Sequence, residues 1–147
     1  MKFNFKGKNV FISGGTHGIG LGCLINFAKL GANVITFSRD KKKIYYTKKK
    51  LNNFKVNTLI EEGDILDNDF LEAFTKKVIK KFKKIDILVH NVGGGGRWGK
   101  DNFLDTNPNV WQKVYDKNNK GLIVFTKYFL PKMIKNRWGR VIAIGSI

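Results

Sequence analysis

The stretch NVFISGGTHGIGLGCLINFAKLG, Asn9 to Gly31, decides the fold. Its opening, Asn9–Ser13, is apolar and β-branched and reads as a buried strand. Its end, from Ile19 onward, reads as a helix with Ile19, Cys23, Phe27 and Leu30 on one face, closed by Gly31 as a C-terminal glycine. Between them lies SGGTHGIG, with Gly14, Gly18 and Gly20 spaced G-x-x-x-G-x-G. A glycine at the strand end permits a tight turn. Glycines without Cβ let backbone approach a pyrophosphate, and the free N–H groups of the helix start then receive its charge. Strand, glycine turn and helix in that order predict dinucleotide binding.

Outward from this segment, strand and helix patterns alternate. Asn33–Ser38 is a second strand, Lys41–Asn52 a basic helical stretch, and Val56–Asp64 a third strand ending in acid. DFLEAFTKKVIKKFKK is amphipathic, with Phe70, Phe74, Val78 and Phe82 four apart. Ile85–Asn91 is a fourth strand, and Gly93–Gly96 a loop. A long helix is expected from Asn109 to Asn136, kinked or broken near Pro131. Four apolar residues, Val141–Ile144, mark a fifth strand. The expected fold is α/β, a Rossmann-like doubly wound parallel sheet of five strands in order 3-2-1-4-5, with helices on both faces and one domain over residues 1–147.

Composition bounds the class. The chain has 147 residues, enough for one domain with a core of its own. No apolar run reaches the roughly 18–20 residues of a membrane-spanning helix. The N-terminus lacks the pattern of a signal peptide. The single cysteine, Cys23, excludes an internal disulfide, so a cytoplasmic location is expected. The net charge of +17 invites a nucleic-acid reading. The lysines alternate with apolar residues at helical spacing, as on a solvated helix face, and no aromatic stacking motif lies among them. The expectation is therefore no nucleic acid and no membrane partner.

The glycine spacing differs from the G-x-G-x-x-G of two-domain dehydrogenases. It resembles the T-G-x-x-x-G-I-G loop of the short-chain dehydrogenase/reductase family, with Ser13 in place of Thr. Further segments resemble that family in order: GDILD with Asp64 and Ile65, HNVG (His90–Gly93) beside the N-N-A-G signature, the helix with its V-N-L-x-G element, and GRVIAIGSI. His90 and Val92 depart from the signature, and Asn119 stands where an apolar residue is usual. The last segments look most like 3-oxoacyl-carrier-protein reductases.

The resemblance implies roles. Gly14, Thr16, His17, Gly18, Ile19 and Gly20 would surround the pyrophosphate, Asp64 would lie beside the adenine with Ile65 contributing backbone, and Asn91 and Gly93 would meet the nicotinamide side. Ser146 and Asn118 would be catalytic, and no metal is expected. Arg39 follows the second strand, where a base suits the 2′-phosphate of NADP, with Ser38 and His17 assisting. Asp40 is the alternative, a carboxylate for the ribose of NAD. NADP(H) is favoured over NAD(H).

The implied activity interconverts a carbonyl and a secondary alcohol on a small molecule, in a homo-oligomer when full length. The family's Tyr-x-x-x-Lys follows its Ser, whereas this sequence ends one residue beyond Ser146. The chain is therefore expected to be an N-terminal portion, cut after the fifth strand, inactive and poorly stable alone, with that strand as an exposed edge. A non-catalytic dinucleotide-binding module and a basic nucleic-acid binder are the alternatives.

Overall fold

The computed structural model describes residues 3–94 and 102–145. The elements run β1 (Asn9–Ser13), α1 (Gly18–Lys29), β2 (Asn33–Ser38), α2 (Lys41–Leu51), β3 (Thr58–Glu62), α3 (Asn68–Phe82), β4 (Ile87–His90), α4 (Pro108–Tyr115), a π-helical turn (Asp116–Lys120), α5 (Gly121–Lys135) and β5 (Arg140–Ala143). The strands form one sheet in the order β3-β2-β1-β4-β5, and every pairing is parallel.

Alternation along the strands builds two cores. Val10 and Ile12 of β1 point to one face, with Leu24 and Ala28 of α1 and Ile44 and Leu51 of α2. Phe11 points to the other, among Phe74 and Val78 of α3 and Phe125, Phe129 and Met133 of α5. Its ring centroid lies 4.5 Å from that of Phe125 and 5.2 Å from that of Phe129. The sheet is thus covered on both faces. β1 to β3 are laid outward in one direction, and the chain then crosses back to place β4 on the other side of β1. The strand order reverses between β1 and β4, and in such sheets ligands bind at the carboxyl ends of the strands at that reversal.

The opposite end of the sheet is closed by a polar lock. The Asp86 carboxylate, 3% exposed, accepts the Asn9 backbone N–H at 2.9 Å and meets the Lys84 ammonium at 2.8 Å. The Asn9 side chain donates to the carbonyls of Phe82 and Lys84.

Two local expectations need correction. The inward face of α1 carries Gly20, Leu24 and Ala28, while Ile19 and Leu30 are exposed. The buried stripe lies one residue round the helix from the predicted one and begins at Gly20, where a Cβ would strike the Gly14 carbonyl oxygen. Secondly, the long helix is interrupted at Asp116–Lys120, while Pro131 sits inside α5 without ending it. As expected, β5 is an exposed edge of the sheet, with Val141 and Ile142 42% and 41% exposed. Gly95 and Gly96 of the predicted loop lie outside the described residues.

Candidate functional site

The turn from β1 into α1 is held by glycine geometry. Gly14 has φ +69° and Gly18 φ +52°, conformations that side chains disfavour. Gly20 answers a different constraint. A Cβ there would strike the Gly14 carbonyl oxygen and stand 2.6 Å from the Asn91 side-chain nitrogen. The turn is therefore pressed against the chain leaving β4, and Asn91 closes the contact by donating its side-chain N–H to the Gly14 carbonyl at 3.4 Å.

The start of α1 is chemically distinctive. α2, α3 and α4 each begin with a capping side chain, Asp40, Asp67 and Asn107 in turn, that accepts a backbone N–H of the first turn. His17 at the start of α1 makes no such bond, and its first turn holds no acid. The first N–H groups of α1 are thus not taken by a side-chain cap, and the positive end of the helix dipole faces outward.

A cleft of about 880 Å³ opens over this helix end, within the range of small-ligand sites. Gly14, Thr16, His17, Gly18 and Ile19 line it from the turn, Ser38 and Arg39 from the end of β2, Asp64 and Ile65 from beyond β3, and Asn91 and Gly93 from beyond β4. The predicted cofactor residues are brought together there, except Gly20, which is buried behind the turn. Asn118 is set back from the wall, in the π-helical turn. Ser146 lies outside the described residues.

Arg39 and Asp64 face each other across the cleft mouth. The guanidinium donates to the Asp64 carboxylate at 3.3 Å, with side chains 68% and 34% exposed. Asp40 also lines the cleft, and it caps α2 by accepting the Lys43 N–H at 3.1 Å. That bond, with the nearby Lys43 charge, holds its carboxyl below the usual value despite slight desolvation. Lys43, one turn into α2, also lines the cleft, as does Lys117. Sequence patterns did not single out either lysine. The spacing of Lys43 four residues after Arg39, across a capping Asp, was the available signal.

Behind the glycine turn lies a buried polar chain. His90 is 3% exposed. Its Nδ1 lies 2.9 Å from Ser13 Oγ, and its Nε2 lies 2.8 Å from the Asn118 carbonyl oxygen. Burial lowers the imidazole pKa from its ordinary value, partly offset by the bond to Asn118. Ser13 Oγ also accepts the Asn91 N–H at 3.1 Å. The unusual Asn119 is explained locally: its side chain donates to the Tyr115 carbonyl at 3.2 Å within the widened turn.

Among the described residues, no cluster of three or more His, Cys, Asp or Glu side chains could hold a metal, and no helix is long and apolar enough to cross a membrane.

Known proteins are similar to this chain in sequence and fold. Dehydrogenase/reductase SDR family member 7 of Mus musculus is 32% identical over 142 residues, covering 94% of this chain and 41% of that protein. The 3-oxoacyl-[acyl-carrier-protein] reductase FabG of Staphylococcus aureus is 27% identical, over 95% of this chain and 56% of its own length. This chain thus spans about half the length of these relatives. The crystal structure of L-sorbose reductase from Gluconobacter frateurii, complexed with NADPH and L-sorbose, superposes with a TM-score of 0.90 at 26% identity, over 100% of this chain and 55% of that one. An NADH-dependent reductase, A1-R', complexed with NAD, superposes with a TM-score of 0.84 at 27% identity, over 97% of this chain and 61% of that one. The short chain dehydrogenase family model matches residues 8–147, so the chain belongs to the short-chain dehydrogenase/reductase family.

Proposed function

We propose that this chain forms the dinucleotide-binding part of an NADP(H)-dependent oxidoreductase that interconverts a carbonyl and a secondary alcohol. The observation that carries the reading is the uncapped start of α1, set under a cleft at the strand-order reversal by a glycine turn that a Cβ would block. Such a helix end suits a pyrophosphate, so the residues present fit the dinucleotide.

In this reading, the N–H groups around Gly18, Ile19 and Gly20 hold the pyrophosphate charge. Thr16 and Gly14 border it. Asp64 and Ile65 lie beside the adenine, and Asn91 and Gly93 beside the nicotinamide ribose. Bound there, the dinucleotide supplies or accepts the hydride. Arg39 turns from Asp64 to the 2′-phosphate, with Ser38 and His17 at its flanks. Asp40 caps α2 and also lines the cleft, so the preference for NADP(H) rests on Arg39. Asn118 and Ser146 serve the substrate side as orienting and relay groups.

Titration calorimetry of the purified protein with NADPH and NADH tests this. Saturable one-to-one binding, tighter for NADPH, is expected. A folded sample that binds neither dinucleotide refutes the proposal.

A further inference from the structure

We propose that His90 is a positioning residue: a two-ended clamp that ties the end of β1 to the π-helical turn carrying Asn118. Ser13 and His90 are register partners on neighbouring parallel strands, so their side chains meet at the cleft end of the sheet. The polarity of the clamp follows from its partners. The Asn118 carbonyl can only accept, so Nε2 carries the ring hydrogen and donates across 2.8 Å. Nδ1 is then the acceptor of the neutral ring and takes the Ser13 hydroxyl hydrogen at 2.9 Å. Ser13 Oγ, its hydrogen spent, accepts the N–H groups of Asn91 at 3.1 Å and Val92 at 3.4 Å. Each hydrogen has one destination, and the chain runs in one direction from the β4 exit to the turn.

Two features explain why the turn can be held from this side. A π-helical turn interrupts the regular helical ladder, so a side chain can take one of its carbonyls. Gly121 follows directly, and a Cβ there would stand 3.2 Å from His90 Cε1 and run into Ile65 Cδ1. The start of α5 can therefore lie against the imidazole. The clamp sets Asn118 so that its Oδ1 is 3.4 Å from the place a Gly93 Cβ would occupy, buried and without a partner among the described residues. His90 thus holds the backbone of the residue whose carboxamide lies beside the cleft, without touching the cleft itself. Only the meaning of Asn118 for chemistry rests on the proposed function; the clamp does not.

The test uses the isotopically labelled full chain. Ring-nitrogen correlation spectra are expected to show His90 as the Nε2–H tautomer, with a slowly exchanging ring hydrogen close to Asn118. His90→Phe keeps the bulk and loses both bonds, so the Asn118 side-chain amide resonances should shift and broaden. His90→Gln places its amide nitrogen near the Nε2 position and should restore them. His90→Asn reaches only the Ser13 side and should not. The Nδ1–H tautomer, a rapidly exchanging ring hydrogen, Asn118 resonances unchanged by His90→Phe, or equal rescue by Asn and Gln would each overturn the clamp. If His90→Phe does not fold, the wild-type ring spectrum decides. Titrating NADPH into the same wild-type sample separates the two readings: absence of binding removes the dinucleotide proposal and leaves the ring result standing.

Discussion

Arg39 offers the sharpest test of cofactor choice, because its present partner sets the size of the effect. The guanidinium is paired with Asp64 at 3.3 Å, in a setting where both side chains keep substantial contact with water. Such an exposed pair contributes about 0.2–1 kcal/mol. A guanidinium bonded to a phosphate contributes about 1.5–3 kcal/mol. Exchanging Asp64 for a 2′-phosphate therefore leaves a net gain near 1.5 kcal/mol, which is roughly a tenfold difference in Kd. Arg39→Gln should weaken NADPH by about that factor and leave NADH nearly unchanged. Asp64→Asn keeps the oxygen that accepts the Leu66 N–H and removes the competing charge. It should tighten NADPH relative to NADH by a few-fold, and only while Arg39 is present. The readout is the ratio of the two dissociation constants by calorimetry, which cancels any shared contact of Asp64 with adenine. Equal weakening of both cofactors by Arg39→Gln, or the same ratio in all variants, would refute the assignment.

Three further outcomes follow from packing and burial. Gly20→Ala forces a Cβ into the Gly14 carbonyl and the Asn91 side chain, so urea unfolding should report a loss of about 1–3 kcal/mol together with weakened dinucleotide binding. Asp86→Ala leaves the buried Asn9 N–H without its acceptor, and the same assay should show about 1–3 kcal/mol lost, with cofactor affinity little changed at the far end of the sheet. The folded His90 pKa is depressed, so the unfolded chain binds more protons as pH falls below the ordinary value of 6.5. Stability from this group is complete above that value and is lost as pH falls through the folded pKa; His90→Gln should flatten that part of the stability–pH curve.

Much of the frame was legible in the residues. The strands announced themselves as short apolar runs, and of the predicted α3 stripe Phe70–Phe74–Val78–Phe82 the last three are buried while Phe70 is half-buried. The glycine turn declared its own geometry, since Gly14 and Gly18 occupy positive φ. The α1 stripe misled because periodicity reports which residues are large and apolar, whereas the buried face of a helix pressed onto a glycine turn is chosen by what fits. The break at Asp116–Lys120 was hidden for a related reason: its stabilising bonds come from Asn119 to the Tyr115 carbonyl and from His90 on another element. Pro131 was the visible breaker, yet α5 runs through it.

The sequence alone settled the order of elements, the parallel sheet and the grouping of the glycine turn with the ends of the strands, because these follow from local pattern and from the few topologies that β-α-β units allow. Only the tertiary structure decided the allegiance of the polar groups. Asp40 caps a helix, Arg39 pairs with Asp64, and His90 joins Ser13 to Asn118. A hydrogen bond depends on distance and direction between groups far apart in the chain, and residue spacing carries neither.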